Sequence, residues 1–311
     1  MTLDQRHARP APLWVRALAA GMPHMPVGRY WVVHHLRHVA ARPFMMRLPD
    51  RLGGFAYECD QRDSVAREVC YTGCYEPQET QLASRLLRPS DVFVDVGANW
   101  GYFSLAAAHW VGSRGRIVAF EPEPRLYGML VSNIAANRLV SIDARQIAVA
   151  AGPGSLSFVA FRADEGNWGR SHAAGPGVTT DFTCATVGLD DALDAAGVDT
   201  VRLVKVDVEG GEAAVLTGMR AGLVAGRYRY VLLECHPQLL AARGESERDC
   251  VQALLGAGYR AWTIAHSPHV HRRAARGPLS AADLLRPYVA GGAIGAWPHI
   301  LAAAPGAPDP A

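Results

Sequence analysis

The sequence predicts an α/β fold built on a mostly parallel, doubly wound sheet. From residue 91 onward, short apolar runs alternate with helical patterns, which is typical of strand–helix–strand units joined by right-handed crossovers. The runs are almost continuously apolar, as in "DVFVDV" at 91–96, and this indicates strands that are covered on both faces. A glycine-containing turn follows the first run, at the place where such sheets bind ligands.

The length of 311 residues suggests a domain of about 200 residues with an extension. Half of the residues are apolar, so the chain can bury a full core. We predict an N-terminal extension of helices and short strands at 1–72, which caps the core or lies on the substrate side. A main domain is predicted at 73–302, and a disordered tail at 303–311.

The extension has three kinds of pattern. Residues 11–42 carry short helical patterns that prolines interrupt. Residues 44–72 alternate well enough for two or three short strands, with a paired-glycine turn at 53–54. The stretch 76–88 is predicted to be a helix, because Pro77 suits a first helical turn.

The main domain is predicted as a succession of strands and helices. Strands are predicted at 91–96, 115–122, 141–150, 154–161, 180–187, 200–208, 227–236 and 258–266. Helices are predicted at 101–112, 123–139, 189–197, about 211–220 and about 238–256. The polar, glycine-containing residues 162–177 are predicted to form a loop. The histidine-rich residues 266–273 are predicted to form a surface loop or a contact for an acidic substrate rather than a metal site.

Composition argues against several classes of partner. The net charge of +2 is too close to neutral to suggest a nucleic-acid partner. The six cysteines form no Cys-x-x-Cys pair, so we expect free thiols in a reducing compartment. No apolar run reaches the roughly 18 residues of a membrane span. We therefore predict a soluble, cytoplasmic protein without membrane partners; homo-oligomerisation is left open.

The turn in "FVDVGANWGYFS" at 93–104 points to the kind of ligand. It contains GxxxG rather than the nicotinamide fingerprint GxGxxG. Asp95 precedes the turn, and a fixed carboxylate there would repel a pyrophosphate but attract the cationic S-adenosylmethionine. Glu121 ends the next strand, where an acid can accept both hydroxyls of a ribose.

The chain resembles the FkbM family of S-adenosylmethionine-dependent methyltransferases. The resemblance lies in "FVDVGANWGYFSL", "VAFEPEPRLYGMLVSNIAAN", "VKVDVEGGEAAVLTG" and "YVLLECHP", and it covers residues 73–236, roughly half of the chain. It implies a Rossmann-like class I methyltransferase fold with S-adenosyl-L-methionine as cofactor, and O-methylation as the usual activity. The predicted cofactor-binding residues are Asp95, Gly97, Ala98, Asn99, Gly101, Tyr102, Ser104, Glu121, Pro122, Gln146 and Asp207.

A second group of polar residues is expected at the ends of two later strands. Alternation places Lys205 and Asp207 on one face of strand 200–208, with Glu209 just beyond its end, and places Glu234 and His236 together on strand 227–236. If the strands are neighbours, all five groups converge, and they are our candidate catalytic residues.

Several chemical roles are open to these five groups. His236 has the intrinsic pKa of a base, and Asp207 or Glu209 could serve instead. Lys205, the only lysine of the chain, could pair with an acid or hold the substrate. The acids and the histidine are also suitable ligands for a divalent metal, but we predict no metal.

The loop "DEGNWGRSH" at 164–172 supplies the candidate acceptor contacts Asn167, Trp168 and His172. The leading hypothesis is methylation of a hydroxyl on a small-molecule acceptor, a sugar or a secondary metabolite. The alternatives are methylation of a small-molecule amine, a nicotinamide-dependent oxidoreductase, or a non-catalytic protein that binds the cofactor.

Overall fold

The N-terminal region combines a helix, a β-hairpin and a second helix. A computed structural model describes residues 9–22, 25, 32–33, 35–36, 42–161, 166–175, 177–289, 291–292, 294 and 298–310. Within them, α1 spans Leu13–Gly21, and β1 (Phe44–Arg47) pairs antiparallel with β2 (Ala56–Cys59). The predicted hairpin is confirmed. The possible third strand is instead α2 (Ser64–Thr72), which begins where the Asp63 side chain accepts a hydrogen bond from the amide of Ala66.

The centre of the main domain is an eight-stranded sheet in the order β13-β12-β14-β11-β10-β3-β4-β5. Strands β5, β4, β3, β10 and β11 are parallel, and β14 runs antiparallel between β11 and β12. The strands are β3 (Val92–Val96), β4 (Arg116–Phe120), β5 (Ile142–Arg145), β10 (Val201–Val206), β11 (Tyr228–Glu234), β12 (Arg260–Ile264), β13 (Leu285–Pro287) and β14 (His299–Ala303). The predicted fold class, a mostly parallel α/β sheet, is confirmed.

The strand order reverses beside β3. From β3 the chain moves outward through β4 to β5, and it later returns on the other side of β3 as β10 and β11. A sheet that reverses its order in this way leaves a crevice at the carboxyl ends of its strands. Parallel register places Lys205 of β10 beside Asp95 of β3.

Helices pack on the strands and connect them. They are α3 (Pro77–Leu86), α4 (Tyr102–Val111), α5 (Pro124–Ala136), α6 (Leu189–Ala195), α7 (Glu212–Gly218), α8 (Arg220–Val224), α9 (Pro237–Ala241), α10 (Glu247–Gly256), α11 (Pro268–Ala274) and α12 (Ala281–Leu284). The helix predicted at 238–256 is therefore two helices. The break has a local cause, because Ser246 and Asp249 form a capping box that starts α10.

The stretch 141–150 is two strands in different sheets, and its prediction as one strand is wrong. After β5 the chain leaves the main sheet and enters a four-stranded sheet in the order β6-β9-β7-β8. Its strands are β6 (Ala148–Ala150), β7 (Gly154–Val159), β8 (His172–Ala173) and β9 (Phe182–Gly188). The small sheet has a satellite core of its own, in which Phe158 packs with Ala148 and Cys184. Asp143, Arg145 and Gln146 lie between the apolar positions, but nothing in this short pattern shows that the chain changes from one sheet to another.

The C-terminal region differs most from expectation. Strand β14 was not predicted, yet all five of its residues are buried. The predicted tail also makes defined contacts, since the hydroxyl of Tyr230 donates to the carbonyl of Pro308 at 2.9 Å. Residues 268–274 form a helix rather than a loop, because Ser267 caps its first turn. None of the described helices combines the length and the apolar character that crossing a membrane would require.

Candidate active site

A cavity of about 760 Å³ opens at the carboxyl ends of the central strands. Its size is within the usual range of small-molecule sites. Among its walls are the turn after β3, the end of β4, and the polar residues that follow β10 and β11. The predicted site residues that line it are Gly97, Asn99, Glu121, Pro122, Asn167, Asp207, Glu209, Glu234 and His236. One cavity thus joins the predicted cofactor turn to the predicted catalytic group.

The turn after β3 can be built only with glycine at its first position. Gly97 has a φ of +86°, and a β-carbon there would lie 1.7 Å from the carbonyl oxygen of Asp207. The amides of Gly97 and Ala98 both donate to the carbonyl of Phe120 at 3.0 Å. The turn is therefore clamped between β4 and the segment after β10, with its backbone close to the cavity.

Glu121 supports this turn from the neighbouring strand. Its two carboxylate oxygens accept hydrogen bonds from the amides of Asn99 at 2.8 Å and Glu123 at 2.9 Å. Burial raises the pKa of Glu121 to about 8. A carboxylate fixed in the cavity wall beside a glycine turn fits the ribose and the cationic end of S-adenosylmethionine, and it fits a pyrophosphate poorly.

Several predicted cofactor residues lie behind the cavity wall rather than in it. Asp95 is only 1% exposed, and its carboxylate accepts a hydrogen bond of 2.6 Å from Ser104. The predicted residues outside the lining are Asp95, Ala98, Gly101, Tyr102, Ser104 and Gln146. Asp95 therefore acts on the cavity by its charge and by bracing the first turn of α4, not by facing a ligand.

Lys205 is buried in an acidic environment. Its ammonium lies 3.0 Å from Asp207 Oδ2 and 3.6 Å from Glu76 Oε2, and 4.7 Å from the centre of the Phe103 ring. Burial by itself lowers the pKa of Lys205. The carboxylates of Asp207 and Glu76 raise it by more than this, so the pKa lies well above its ordinary value. Lys205 does not line the cavity, and it contacts the cavity-lining Asp207.

His236 lies at the meeting point of four carboxylates. Its Nδ1 lies 2.7 Å from Oε1 of Glu212, a fully buried residue. Its Nε2 lies 3.5 Å from Glu209, 3.7 Å from Glu234 and 3.9 Å from Asp207. The predicted convergence of strand-end groups is confirmed. His236 itself does not belong to β11, which ends at Glu234, and it caps α9 instead.

The pKa of His236 departs from the expected value. Burial lowers this pKa, but the hydrogen bond to Glu212 and the charges of Asp207 and Glu209 raise it to about 10. This shift favours the protonated imidazole in the free protein near neutral pH, so a role of Nε2 as base or as ligand requires the loss of that proton. Burial raises the pKa of Glu209 to about 7, which suits a base. Glu209 also has a strained φ of +50° and faces the cavity.

A second polar group continues from Glu234 into the protein. Glu234 Oε1 lies 3.5 Å from Nε2 of His299, whose Nδ1 lies 3.0 Å from Glu79. Glu79 also contacts His266, and the two imidazole rings are stacked with centres 3.8 Å apart. Four residues of these groups were not predicted from the sequence: Glu76, Glu79, Glu212 and His299. Each of them is a polar residue within an apolar or helix-capping pattern. Such a pattern shows that the residue is unusual, but it does not show which distant residue it contacts.

The predicted acceptor loop supplies one of its three residues to the cavity. Asn167 lines it, but Trp168 is buried beside Trp100, with ring centres 5.5 Å apart, and His172 lies in β8 outside the lining. The aromatic pairing explains the inward position of Trp168. Arginines 170 and 243, which were not predicted, line the cavity.

Comparisons with known proteins identify similar sequences. The family model described as "Methyltransferase FkbM domain" matches residues 95–261. The chain is 29% identical over 199 residues to methyltransferase sdnD of Sordaria araneosa, covering 55% of this chain and 73% of that protein. It is 27% identical over 217 residues to the 31-O-demethyl-FK506 methyltransferase FkbM of Streptomyces tacrolimicus, covering 61% of this chain and 81% of that one.

Solved structures of low sequence identity are also similar. A methyltransferase FkbM from Methylobacillus flagellatus KT aligns with a TM-score of 0.42 and 14% identity, over 93% of this chain and 60% of that chain. Fibrillarin from Aeropyrum pernix, solved with S-adenosyl-L-methionine, aligns with a TM-score of 0.39 and 15% identity, over 73% of this chain and 75% of that chain.

Proposed function

The chain belongs to the FkbM family of S-adenosylmethionine-dependent methyltransferases, and from this premise we propose that it methylates a hydroxyl oxygen of a small molecule. The single observation that carries the proposal is the shared cavity, in which the glycine turn and Glu121 lie on one side and a group of acids lies on the other. The acceptor class we favour is a sugar or a secondary metabolite.

The cofactor half of the cavity, formed by the glycine turn after β3 and Glu121, binds and orients S-adenosylmethionine. Gly97 brings the backbone close to the ligand, and the Glu121 carboxylate accepts the ribose hydroxyls. Asp95 and Asp207 add negative charge near the cationic end. When bound, S-adenosylmethionine supplies a methyl group to the acceptor oxygen, and the electron pair of the broken carbon–sulfur bond stays on sulfur. The residues of this half place that methyl group in line with the acceptor.

The acceptor half of the cavity, which contains Asp207, Glu209, Glu234 and His236, receives the proton that the hydroxyl loses. Glu209 is the base we assign, because its carboxylate faces the cavity just beyond β10. The raised pKa of about 7 allows it to exchange a proton near neutral pH. As the new carbon–oxygen bond forms, the hydroxyl proton passes to a Glu209 oxygen. His236, held by Glu212, positions the acids around it.

One of the two named relatives supports oxygen as the acceptor atom. The Streptomyces tacrolimicus protein is named for 31-O-demethyl-FK506, a substrate that lacks an O-methyl group. Its alignment with this chain spans 61% of the present sequence. The acid-rich acceptor half agrees with a hydroxyl that has to be deprotonated as it attacks.

The test is methyl transfer to a panel of sugars and natural products, followed by mass spectrometry and by the Glu209→Gln variant. We expect a new O-methyl product, and a fall in kcat of roughly 10²–10⁴-fold in the variant with little change in cofactor affinity. Asp199→Asn, at an exposed position outside the cavity lining, is the control. Methylation of amines alone, or an unchanged rate in Glu209→Gln, would contradict the assignment.

A further inference from the structure

The ring of His236 is oriented in the manner of a metal ligand. Its Nδ1 lies 2.7 Å from Oε1 of the buried Glu212, and the same oxygen accepts the amide of Gly210 at 2.9 Å. The ring therefore cannot turn freely, and Nε2 points towards the acids of the cavity. Histidines that bind metals usually donate their other ring N–H to a carboxylate or carbonyl in this way.

The atoms around Nε2 have the spacing of ligands rather than of hydrogen-bond partners. Glu209, Glu234 and Asp207 approach Nε2 at 3.5, 3.7 and 3.9 Å, at or beyond the limit of a hydrogen bond. One ligand atom each from Asp207, Glu234 and His236 lie within 4.8 Å of one another. Ligands at about 2.1 Å from an octahedral cation are separated by about 3 to 4.2 Å.

Each of the two acids has an oxygen left for a cation. In Asp207, Oδ2 accepts a hydrogen bond from Lys205, whereas Oδ1 is the oxygen that lies 3.9 Å from Nε2 of His236. In Glu234, Oε1 is the oxygen 3.7 Å from Nε2 of His236, and it also lies 3.5 Å from Nε2 of His299. The buried Oε2 of the same carboxylate has no hydrogen-bond partner among the described residues, so a cation bound to Glu234 would offset part of the cost of burying this group.

The neighbouring group of Glu79, His266 and His299 also brings three ligand atoms together, but its geometry differs. Both histidines contact the same oxygen of Glu79 directly, and their rings are stacked at 3.8 Å with an angle of 23° between the planes. The Glu79 oxygen already occupies the point that the two imidazole nitrogens share. This group is therefore a hydrogen-bonded support for α3 and β14.

We propose that Asp207, Glu234 and His236 bind one divalent cation in the acceptor half of the cavity. Two carboxylates and one imidazole suit Mn²⁺ or a similar cation that also accepts water and hydroxyl ligands. Its open positions face the cavity, where they hold the acceptor hydroxyl and lower the pKa of that hydroxyl. This chemical role rests on the proposed function, with Glu209 receiving the proton. Binding of the cation itself does not rest on it.

The test is a titration of EDTA-treated, dialysed full-length protein with Mn²⁺, followed by the loss of the electron paramagnetic resonance signal of free Mn²⁺. We expect one bound Mn²⁺ per chain in the wild type. Glu234→Gln and His236→Gln should each weaken binding at least about tenfold, and Glu212→Gln should weaken it by roughly 10–100-fold through the orientation of His236.

His266→Gln is the matched control, because it changes a histidine of the neighbouring group. Binding that persists in this variant and fails in the cavity variants supports the site. No Mn²⁺ binding in the wild type, or binding lost in His266→Gln but kept in Glu234→Gln, overturns it. Circular dichroism and binding of S-adenosylhomocysteine verify that each variant is folded. If Glu234→Gln does not fold, the result for His236→Gln is the test of the site.

Activity distinguishes this inference from the proposed function. Methyl transfer to a hydroxyl that is undiminished in EDTA would overturn the catalytic role of the cation and leave the proposed function intact. Mn²⁺ bound at the predicted residues, with transfer only to amines, would support the cation site and contradict the proposed O-methylation.

Discussion

Lys205 illustrates how one residue can be required without facing the ligand. Its ammonium links Asp207, which lines the cavity, to Glu76 at the start of α3, and it lies over the ring of Phe103. Glu76 has a left-handed φ of +41°, so its position depends on a strained backbone. The ammonium therefore holds the orientation of Asp207 and offsets part of the acidic charge.

Replacing Lys205 with arginine should lower activity although the charge is kept. The planar guanidinium is larger than the ammonium and does not fit the same point contacts in a buried site. We expect kcat to fall by roughly 10²-fold, as for a small displacement of a positioned group, while affinity for S-adenosylhomocysteine stays within a few-fold. Arg202→Lys, at the start of the same strand, is the control, and equal activity in Lys205→Arg would refute the prediction.

Glu121 should make cofactor binding depend on pH. Burial raises its pKa to about 8 in the free protein, so below that pH it is mostly protonated. Ribose hydroxyls donate to the ionised form, and binding therefore favours loss of the proton. We expect affinity for S-adenosylhomocysteine to weaken as the pH falls from 8.5 to 6.5, by at most about tenfold per unit.

Isothermal titration across this pH range measures the effect. Glu121→Gln should bind more weakly and with a flatter pH dependence, because the amide does not titrate. Other acids near the cavity, Glu209 among them, contribute the dependence that remains. An identical pH dependence in wild type and variant would show that Glu121 is not the responsible group.

At the scale of elements, β14 is the feature that most changes the picture of the chain. It pairs antiparallel with both β11 and β12, so it occupies an interior place in the main sheet. Its first residue, His299, connects Glu79 of α3 to Glu234 of β11. The strand thus joins the C-terminal part of the chain to the support of the acceptor site.

Leu301→Ala should destabilise the protein as a core substitution does. Leu301 is fully buried in β14, and removing its side chain should lower the free energy of unfolding by about 2–5 kcal/mol. Val224→Ala, at a position 73% exposed, is the apolar control and should change it by less than about 0.5 kcal/mol. Denaturant unfolding measures both, and equal midpoints would mean that β14 is not part of the core.

At the scale of the whole molecule, the strand order concentrates the chemistry in one place. Reversal beside β3 leaves the carboxyl ends of β3, β4, β10 and β11 around a single cavity. The turn after β3 can pack against the segment after β10 because Gly97 has no side chain. The cofactor half and the acceptor half are therefore adjacent by topology, although more than 100 residues separate Gly97 from Asp207 in the chain.

Local patterns were enough to predict the parallel core, the glycine turn and the strand-end positions of Asp207, Glu209 and Glu234. These features depend on patterns within a few residues, namely apolar runs, side-chain alternation and turn chemistry. The division of 141–150 between two sheets was not predicted, because a run of residues that can form a strand does not show which sheet it joins.

Only the tertiary structure decided the place of β14, the partners of Lys205 and the hydrogen bond from His236 to Glu212. It also decided that Asp95 lies behind the cavity wall. The physical reason is the same in each case. Strand pairing, burial and the pKa of a buried group depend on which distant segments become neighbours, and no local pattern encodes that choice.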